Sequence, residues 1–232
     1  MFHDFGIKER GLYMTTAGIA SIPSRRLMLE QVLDSIAPQV GQVFLVLNYG
    51  DEPPPEYLDK YSNVFWYTQT DTRGDAMKFS MAHFPDDTFF GCDDDLLYPD
   101  GYFEYLEQGI KKYDGLVSLH GRDYRRPITS FKDWVANYRC LGTVANDIIG
   151  VDLVGSGCCA FDTNRLKVKL SDFKKSNMAD CYLSRLAHIQ GVPRVVLKHD
   201  EGYLKYLYPH ETIWKSTHDF TEQLSVLKSF LK

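Results

Sequence analysis

The apolar residues of this chain fall into two alternating patterns. Short apolar runs bounded by turn residues occur at MTTAGIAS (14–21), QVFLVLNYG (42–50), NVFWYTQ (63–69), TFFGC (88–92) and GLVSLHG (115–121). The continuous run at 42–50 fits a strand buried on both faces, and the others predict strands as well. Between them, RLMLEQVLDSIAPQV carries Leu29, Val32, Leu33 and Ile36 at helical spacing, with Ser24 available as N-cap. GDAMKFSMAHF predicts a second helix, and YPDGYFEYLEQGIKKY an amphipathic one opened by Pro99 and Asp100. Strand and helix in alternation predict an α/β protein built around a mostly parallel sheet.

After residue 121 the pattern changes. RDYRRPITSFKDWVANYRC is polar and aromatic without a clear period, which suits an excursion over the sheet. NDIIGVDLVGSGCCAFDTNRL returns to strand character around a Gly-Ser-Gly turn, MADCYLSRLAHIQG predicts a helix stopped by Gly191, and VPRVVLKH a last strand. TEQLSVLKSFL predicts a short amphipathic helix packed on the outside, and DEPPPEY a loop leading into a short helix. No repeat or linker breaks the sequence, so residues 1–232 read as one domain.

Composition narrows the function classes. The chain has 232 residues, 44% hydrophobic, with a formal net charge of -5 and scattered basic residues; no basic stripe marks a nucleic-acid surface. The N-terminal segment lacks the order of a secretory signal, and no apolar run approaches the roughly 20 residues of a membrane span. A soluble, cytoplasmic protein is therefore expected. Five cysteines, none in a CxxC pair, read as small buried residues rather than a disulfide framework or zinc knuckle.

The chemistry is concentrated in CDDDLL, where Asp93, Asp94 and Asp95 interrupt an apolar run. Solvated charges keep polar company, so acids bracketed by residues that prefer burial point to a bound cation. The triplet falls where strand TFFGC leaves the sheet, and open α/β sheets bind ligands outside the carboxyl ends of their strands. Carboxylate oxygens suit Mg²⁺ or Mn²⁺, and a nucleoside diphosphate supplies further oxygens to the same ion. An EF-hand loop counted from Asp93 fails, because Leu97 and Tyr98 occupy positions that need an oxygen ligand and a glycine. A haloacid-dehalogenase-type phosphatase with its own Asp-x-Asp stays open as an alternative, and acids decorating a helix N-terminus account for Asp100 but not for three acids between Cys92 and Leu96.

Four segments in order, GIASIPSRRLMLEQVLDSIAPQVGQVFLVLNYG, GDAMKF, FFGCDDDLLYPDGYFEYL and NMADCYLSRLAHIQGVPRVVLKH, resemble the GT-A-fold glycosyltransferases, most closely small family-2-like enzymes of bacteria and large viruses. The likeness covers about four fifths of the chain, and the ordered set is far more specific than Asp-x-Asp alone. It implies a Rossmann-like GT-A fold, with a nucleotide-binding half over about 12–120, an acceptor and catalytic half over about 121–210, and a C-terminal helix within 211–232. It further implies that Ala20, Ser21, Ile22 and Arg25 cradle the nucleotide, that Asn48 and Tyr49 hold the base, and that Asp75 and Lys78 face the donor. Asp93 and Asp94 would touch the donor, Asp93 and Asp95 would hold Mn²⁺ or Mg²⁺, and Gly155, Ser156 and Gly157 would form a turn close to the sugar. Asp180 matches the general base of inverting members, although Ala179 stands where many have Glu. His199 matches a late histidine on the metal or diphosphate, with His210 as alternative.

The resemblance thus implies an inverting, metal-dependent transfer from a nucleotide-sugar, expected to be a UDP-sugar, to a hydroxyl of a glycan or glycoprotein acceptor. A retaining transferase on the same fold, a nucleotidyltransferase and a non-catalytic carbohydrate-binding module are the competing readings. The nucleotidyltransferase fits less well, since TTAGIASIPSRR lacks a Gly-rich basic phosphate loop.

Overall fold

The computed structural model describes residues 14–69, 73–84, 87–208 and 219–231. Its strands are β1 (Met14–Ser21), β2 (Gln42–Leu47), β3 (Val64–Thr68), β4 (Asp87–Cys92), β5 (Leu96–Leu97), β6 (Leu116–Ser118), β7 (Gly121–Tyr124), β8 (Trp134–Tyr138), β9 (Ile148–Ile149), β10 (Leu153–Val154), β11 (Cys158–Asp162), β12 (Arg194–Val196) and β13 (Lys205–Tyr206). The helices are α1 (Arg26–Ile36), α2 (Tyr102–Tyr113), α3 (Ala179–Ile189) and α4 (Thr221–Lys228).

Eight strands form one sheet in the order β3-β2-β1-β4-β11-β6-β12-β9. β3, β2, β1 and β4 run parallel, as do β6 and β12, while β11 is inserted antiparallel between β4 and β6. This is the mostly parallel sheet expected from the alternating pattern. The antiparallel insertion has a local consequence: the start of β11 lies beside the end of β4, with Cys158 paired to Cys92. The Gly-Ser-Gly turn that precedes β11 is thereby brought next to the acids that follow β4.

Side-chain alternation on the strands separates two cores. Phe90, Cys158 and Ala160 pack with α1 and α2 on one face; Phe89, Cys159 and Phe161 pack with α3 and α4 on the other. The predicted apolar positions of the first helix, Leu29, Val32, Leu33 and Ile36, are all fully buried. Helix α4 packs outside α3 through buried Leu227, and Arg185 Nε donates to Ser229 Oγ at 3.2 Å.

Several local expectations are corrected. Ser24 caps no helix: it sits inside a 3₁₀ turn (Pro23–Arg25), and α1 starts after Arg25 without a side-chain cap. The GDAMKF segment is a 3₁₀ helix (Gly74–Phe79), not an α-helix. Ala76, Met77, Lys78 and Phe79 are consecutive and all buried, which leaves no solvent face for an amphipathic helix. Helix α2 begins at Tyr102 behind Gly101, whose φ of 78° lies in the left-handed region, with Pro99 and Asp100 in the preceding turn.

Gly18 on β1 marks the closest approach. A Cβ there would overlap the Lys78 carbonyl and the Phe89 ring, so the 3₁₀ helix lies directly on the strand backbone. Gly18→Ala is expected to destabilise the protein by about 1–3 kcal/mol in denaturant unfolding, through overpacking against backbone that cannot yield. Gly142→Ala, whose Cβ would meet Arg139 O at an ordinary 3.6 Å, should change stability by less than about 0.5 kcal/mol. Equal effects at the two sites would contradict this packing.

Candidate active site

A cleft of about 940 Å³ opens at the carboxyl ends of β1, β2 and β4, the position where open α/β sheets bind ligands. Ala20, Ile22, Arg25, Asn48, Asp75, Lys78, Asp93, Asp94, Asp95, Ser156 and Asp180 all line it. Residues far apart in sequence, from the first strand to the third helix, are thus gathered in one place.

At the centre is the Lys78 ammonium, only 2% exposed, ion-paired with Asp93. Burial opposes its charge, but Asp93 and Asp75 outweigh burial and raise its pKa. Lys78 Nζ also reaches Ser156 Oγ at 3.5 Å. Ser156 in turn donates to Asp180 Oδ1 twice, from its backbone N–H at 2.8 Å and its hydroxyl at 2.6 Å. Asp180 lies in the first turn of α3, where the unpaired N–H groups favour a carboxylate. A continuous polar path therefore runs from Asp93 through Lys78 and Ser156 to Asp180.

Asp93 itself is held from below. Its carboxylate lies over Gly157, where any Cβ would overlap it. Its backbone N–H donates to the buried Tyr98 hydroxyl at 2.7 Å, and that hydroxyl donates to Gly157 O at 2.6 Å. Gly157 is needed for close approach.

Arg25 answers the other two acids. Its guanidinium pairs with Asp94 and, at 3.0 Å, with Asp95. Burial opposes the guanidinium, yet Asp94 and Asp95 raise its pKa. The two carboxyls are also pushed up: burial outweighs Arg25 at Asp94, and burial together with the Asp93 charge brings Asp95 to about 7. An ion pair alone would lower both acids, so desolvation dominates here.

Asp75 is a second strained acid. Its Oδ2 accepts the Ala179 N–H at 3.3 Å, tying the 3₁₀ helix to the start of α3, while its buried Oδ1 has no hydrogen-bond partner. Burial first, then Asp180 and Asp93, push Asp75 to about 7 against the pull of Lys78. Gly74 and Asn177 both adopt positive φ, near 58°, and the Asn177 side chain fills the space a Cβ on Gly74 would need.

Other expected residues lie elsewhere. Ser21 is buried under the cleft, its carbonyl accepting the Asn48 N–H at 2.8 Å. Tyr49 is not beside Asn48 in the cleft but in the core, with Arg26 over its ring at 5.5 Å. Gly155 packs against the His120 ring and donates its N–H to His120 O at 2.8 Å. His199 is not brought to the carboxylates: its ring nitrogens face the carbonyls of Leu197 (2.8 Å) and Arg139 (3.1 Å), and it lines a separate hollow. His210 lies outside the described residues.

Sequence reasoning missed His120, Arg122, Asn177 and Tyr206, which also line the cleft. Arg122 lies over the rings of Trp134 (5.1 Å) and Phe131 (5.7 Å). The aromatic richness of segment 122–140 was its only signal. Cys140, expected to be buried, also reaches the cleft. A hydrogen bond with Cys158 and then His120 lower its thiol to about 5 against burial.

Among the described residues, no group of three or more His, Cys, Asp or Glu side chains is gathered so as to hold a metal ion alone. Asp93 and Asp95 nevertheless offer hard carboxylate oxygens at the end of β4, the donor type that Mg²⁺ and Mn²⁺ prefer. The residues fit Mg²⁺ or Mn²⁺ on condition that substrate oxygens complete the coordination.

No protein-family model and no curated protein matches the sequence. Solved structures do. A crystal structure of S. aureus TarS residues 1–349 in complex with UDP-GlcNAc matches with a TM-score of 0.58 at 11% identity, covering 94% of this chain and 66% of that one. A second structure of TarS 1–349 gives 0.51 at 13% identity over 81% and 59%, and a further TarS structure 0.51 at 11% over 94% and 43%. The chain spans under two thirds of the length of each of these solved chains. At such identity the likeness is one of architecture, and the architecture is the GT-A glycosyltransferase fold.

The raised acids make stability depend on pH. Asp75 and Asp95 keep their protons in the fold from the ordinary value of 3.8 up to about 7. The folded state therefore binds more protons than the unfolded chain across that window, and their contribution to stability falls as pH rises through it. Asp75→Asn should flatten the loss of melting temperature between about pH 5 and pH 8. A slope as steep as that of the unaltered protein would contradict the assignment.

Proposed function

We propose that this protein is an inverting glycosyltransferase that moves a sugar from a nucleoside-diphosphate donor, a UDP-sugar, to a hydroxyl of a glycan acceptor. The observation that carries the reading is the connected path of Asp93, Lys78, Ser156 and Asp180 across one cleft at the strand ends. The complex of the similarly folded TarS with UDP-GlcNAc supports the donor class.

In this reading both Ser156 donors fix Asp180 Oδ1, leaving Oδ2 to accept the proton of the acceptor hydroxyl as its oxygen attacks the anomeric carbon. The bond from that carbon to the diphosphate breaks on the opposite face, and the electron pair leaves with the nucleoside diphosphate. Lys78 and Arg25 supply fixed positive charge towards those oxygens. Asp93 and Asp95 would hold Mn²⁺ or Mg²⁺ with the diphosphate; the ion, when bound, neutralises charge on the leaving group. Asn48, at the end of β2, would meet the nucleoside.

Asp180→Asn should cut sugar transfer at least about 100-fold while donor binding by calorimetry survives. Proton NMR of the product should show an inverted anomeric centre. Normal turnover in that variant, or retained configuration, would sink the base assignment. Chelation should stop turnover in the unaltered protein and added Mn²⁺ or Mg²⁺ restore it, whereas Asp95→Ala should stay inactive with either ion.

A further inference from the structure

A second hollow, of about 410 Å³, lies beside the cleft and takes no part in the chemistry above. Its walls come from Tyr105 on α2, the segment around Val144 and Ala145, and the segment from Lys198 to Tyr203. The two cavities share the same chain segments: Cys140 and Leu141 face the cleft where Val144 and Ala145 face the hollow, and Tyr206 faces the cleft where Tyr203 faces the hollow. Loop 139–145 and the turn before β13 thus form a wall between them.

That wall is fixed. Val144 and His199 exchange both backbone hydrogen bonds, at 2.8 and 2.9 Å, and Glu201 N–H donates to Thr143 Oγ1 at 3.2 Å. The His199 ring nitrogens, which serve no ligand in the cleft, face carbonyls on both sides of the same wall. Tyr105 donates its hydroxyl to Lys198 O at 2.5 Å. The hollow is preformed, and its volume lies within the range of small-ligand sites.

Its chemistry selects a ligand. Tyr105 and Tyr203 meet edge to face with centroids 5.9 Å apart, both half-buried. Tyr206 meets Tyr208 in the same manner at 4.9 Å. Tyr208 is 78% exposed and has a φ of 52°, a left-handed conformation that a bulky residue adopts only under constraint. Tyrosine rings pair an apolar, electron-rich face with a polar edge, which complements the C–H face and hydroxyl rim of a pyranose. Lys198 and Asp200 flank the hollow with opposite charges, so a phosphate or other anion gains little there.

We propose that this hollow is a carbohydrate subsite that takes a neutral oligosaccharide on Tyr105 and Tyr203, with Tyr206 and the exposed Tyr208 continuing the aromatic surface on the cleft side. Resting on the transferase reading, it assigns the acceptor class as an extended glycan, held at a distance by one end while the other end is presented to Asp180.

The test is an array of defined neutral oligosaccharides of increasing length, probed with the full chain and its variants. The unaltered protein should retain longer oligosaccharides and not monosaccharides. Tyr203→Ala should weaken retention by about tenfold or more, and Tyr203→Phe, which keeps the ring face, should not. Ala145→Arg, a change at an exposed wall position, should obstruct the hollow and weaken retention equally without touching the core. All three should keep a UDP-sugar thermal shift. Absence of any retained oligosaccharide, or retention unchanged by both Tyr203→Ala and Ala145→Arg, overturns the subsite. Tyr203-dependent retention without any UDP-sugar shift would keep the subsite and overturn the transferase reading instead.

Discussion

The rest of the site depends on one buried cation. Lys78 projects from a 3₁₀ helix pressed onto the backbone of β1 at Gly18, and its ammonium has almost no solvent. Its partner Asp93 is 40% exposed, so the pair is only half-buried, but loss of that carboxylate would leave a desolvated ammonium short of countercharge. Asp93 and Asp75 must therefore stand where they do if the ammonium is to stay charged, and Ser156 accepts from it at 3.5 Å. That requirement fixes Gly157 beneath Asp93, and it draws Asp180 into the same network through Ser156.

The sheet supplies the geometry that meets this demand. Parallel β1, β2 and β4 end on one edge, which collects Ile22, Asn48 and Asp93 there. Antiparallel β11 delivers residues 155–157 to the same edge from the opposite direction, and Asp75 ties the start of α3 to the 3₁₀ helix. The price of gathering so many acids is visible in Asp75 and Asp95, both pushed to about 7 mainly by burial. Carboxyls displaced this far by burial are commoner at functional sites than elsewhere in proteins.

Much of this was legible in the sequence because its carriers are local. The apolar runs at 42–50 and 88–92 and the helical spacing of Leu29, Val32, Leu33 and Ile36 are each complete within a short stretch of chain, and the acids announce themselves by interrupting an apolar run. What was not legible depends on contacts distant in sequence. Tyr98 holds Asp93 only because Gly157 comes back beside it, and β5 pairs with β13 across two residues, too few to show a period. Arg25 was legible as a basic residue after the first strand, but its pairing with Asp94 and Asp95 was not. Tyr49 and His199 were expected in the cleft on the strength of the family resemblance; the core around Arg26 claims the first, and backbone carbonyls claim the second.

In the proposed function the acids, Lys78 and Arg25 together form a nucleotide-sugar site. The most direct test is a thermal-shift panel of nucleotides and nucleotide-sugars, each with and without Mn²⁺, since a ligand that binds only the folded state raises its melting temperature by mass action. A saturable upward shift is expected with UDP-sugars, larger when Mn²⁺ is present and lost in Asp95→Ala. No shift with any nucleotide under either condition would contradict it.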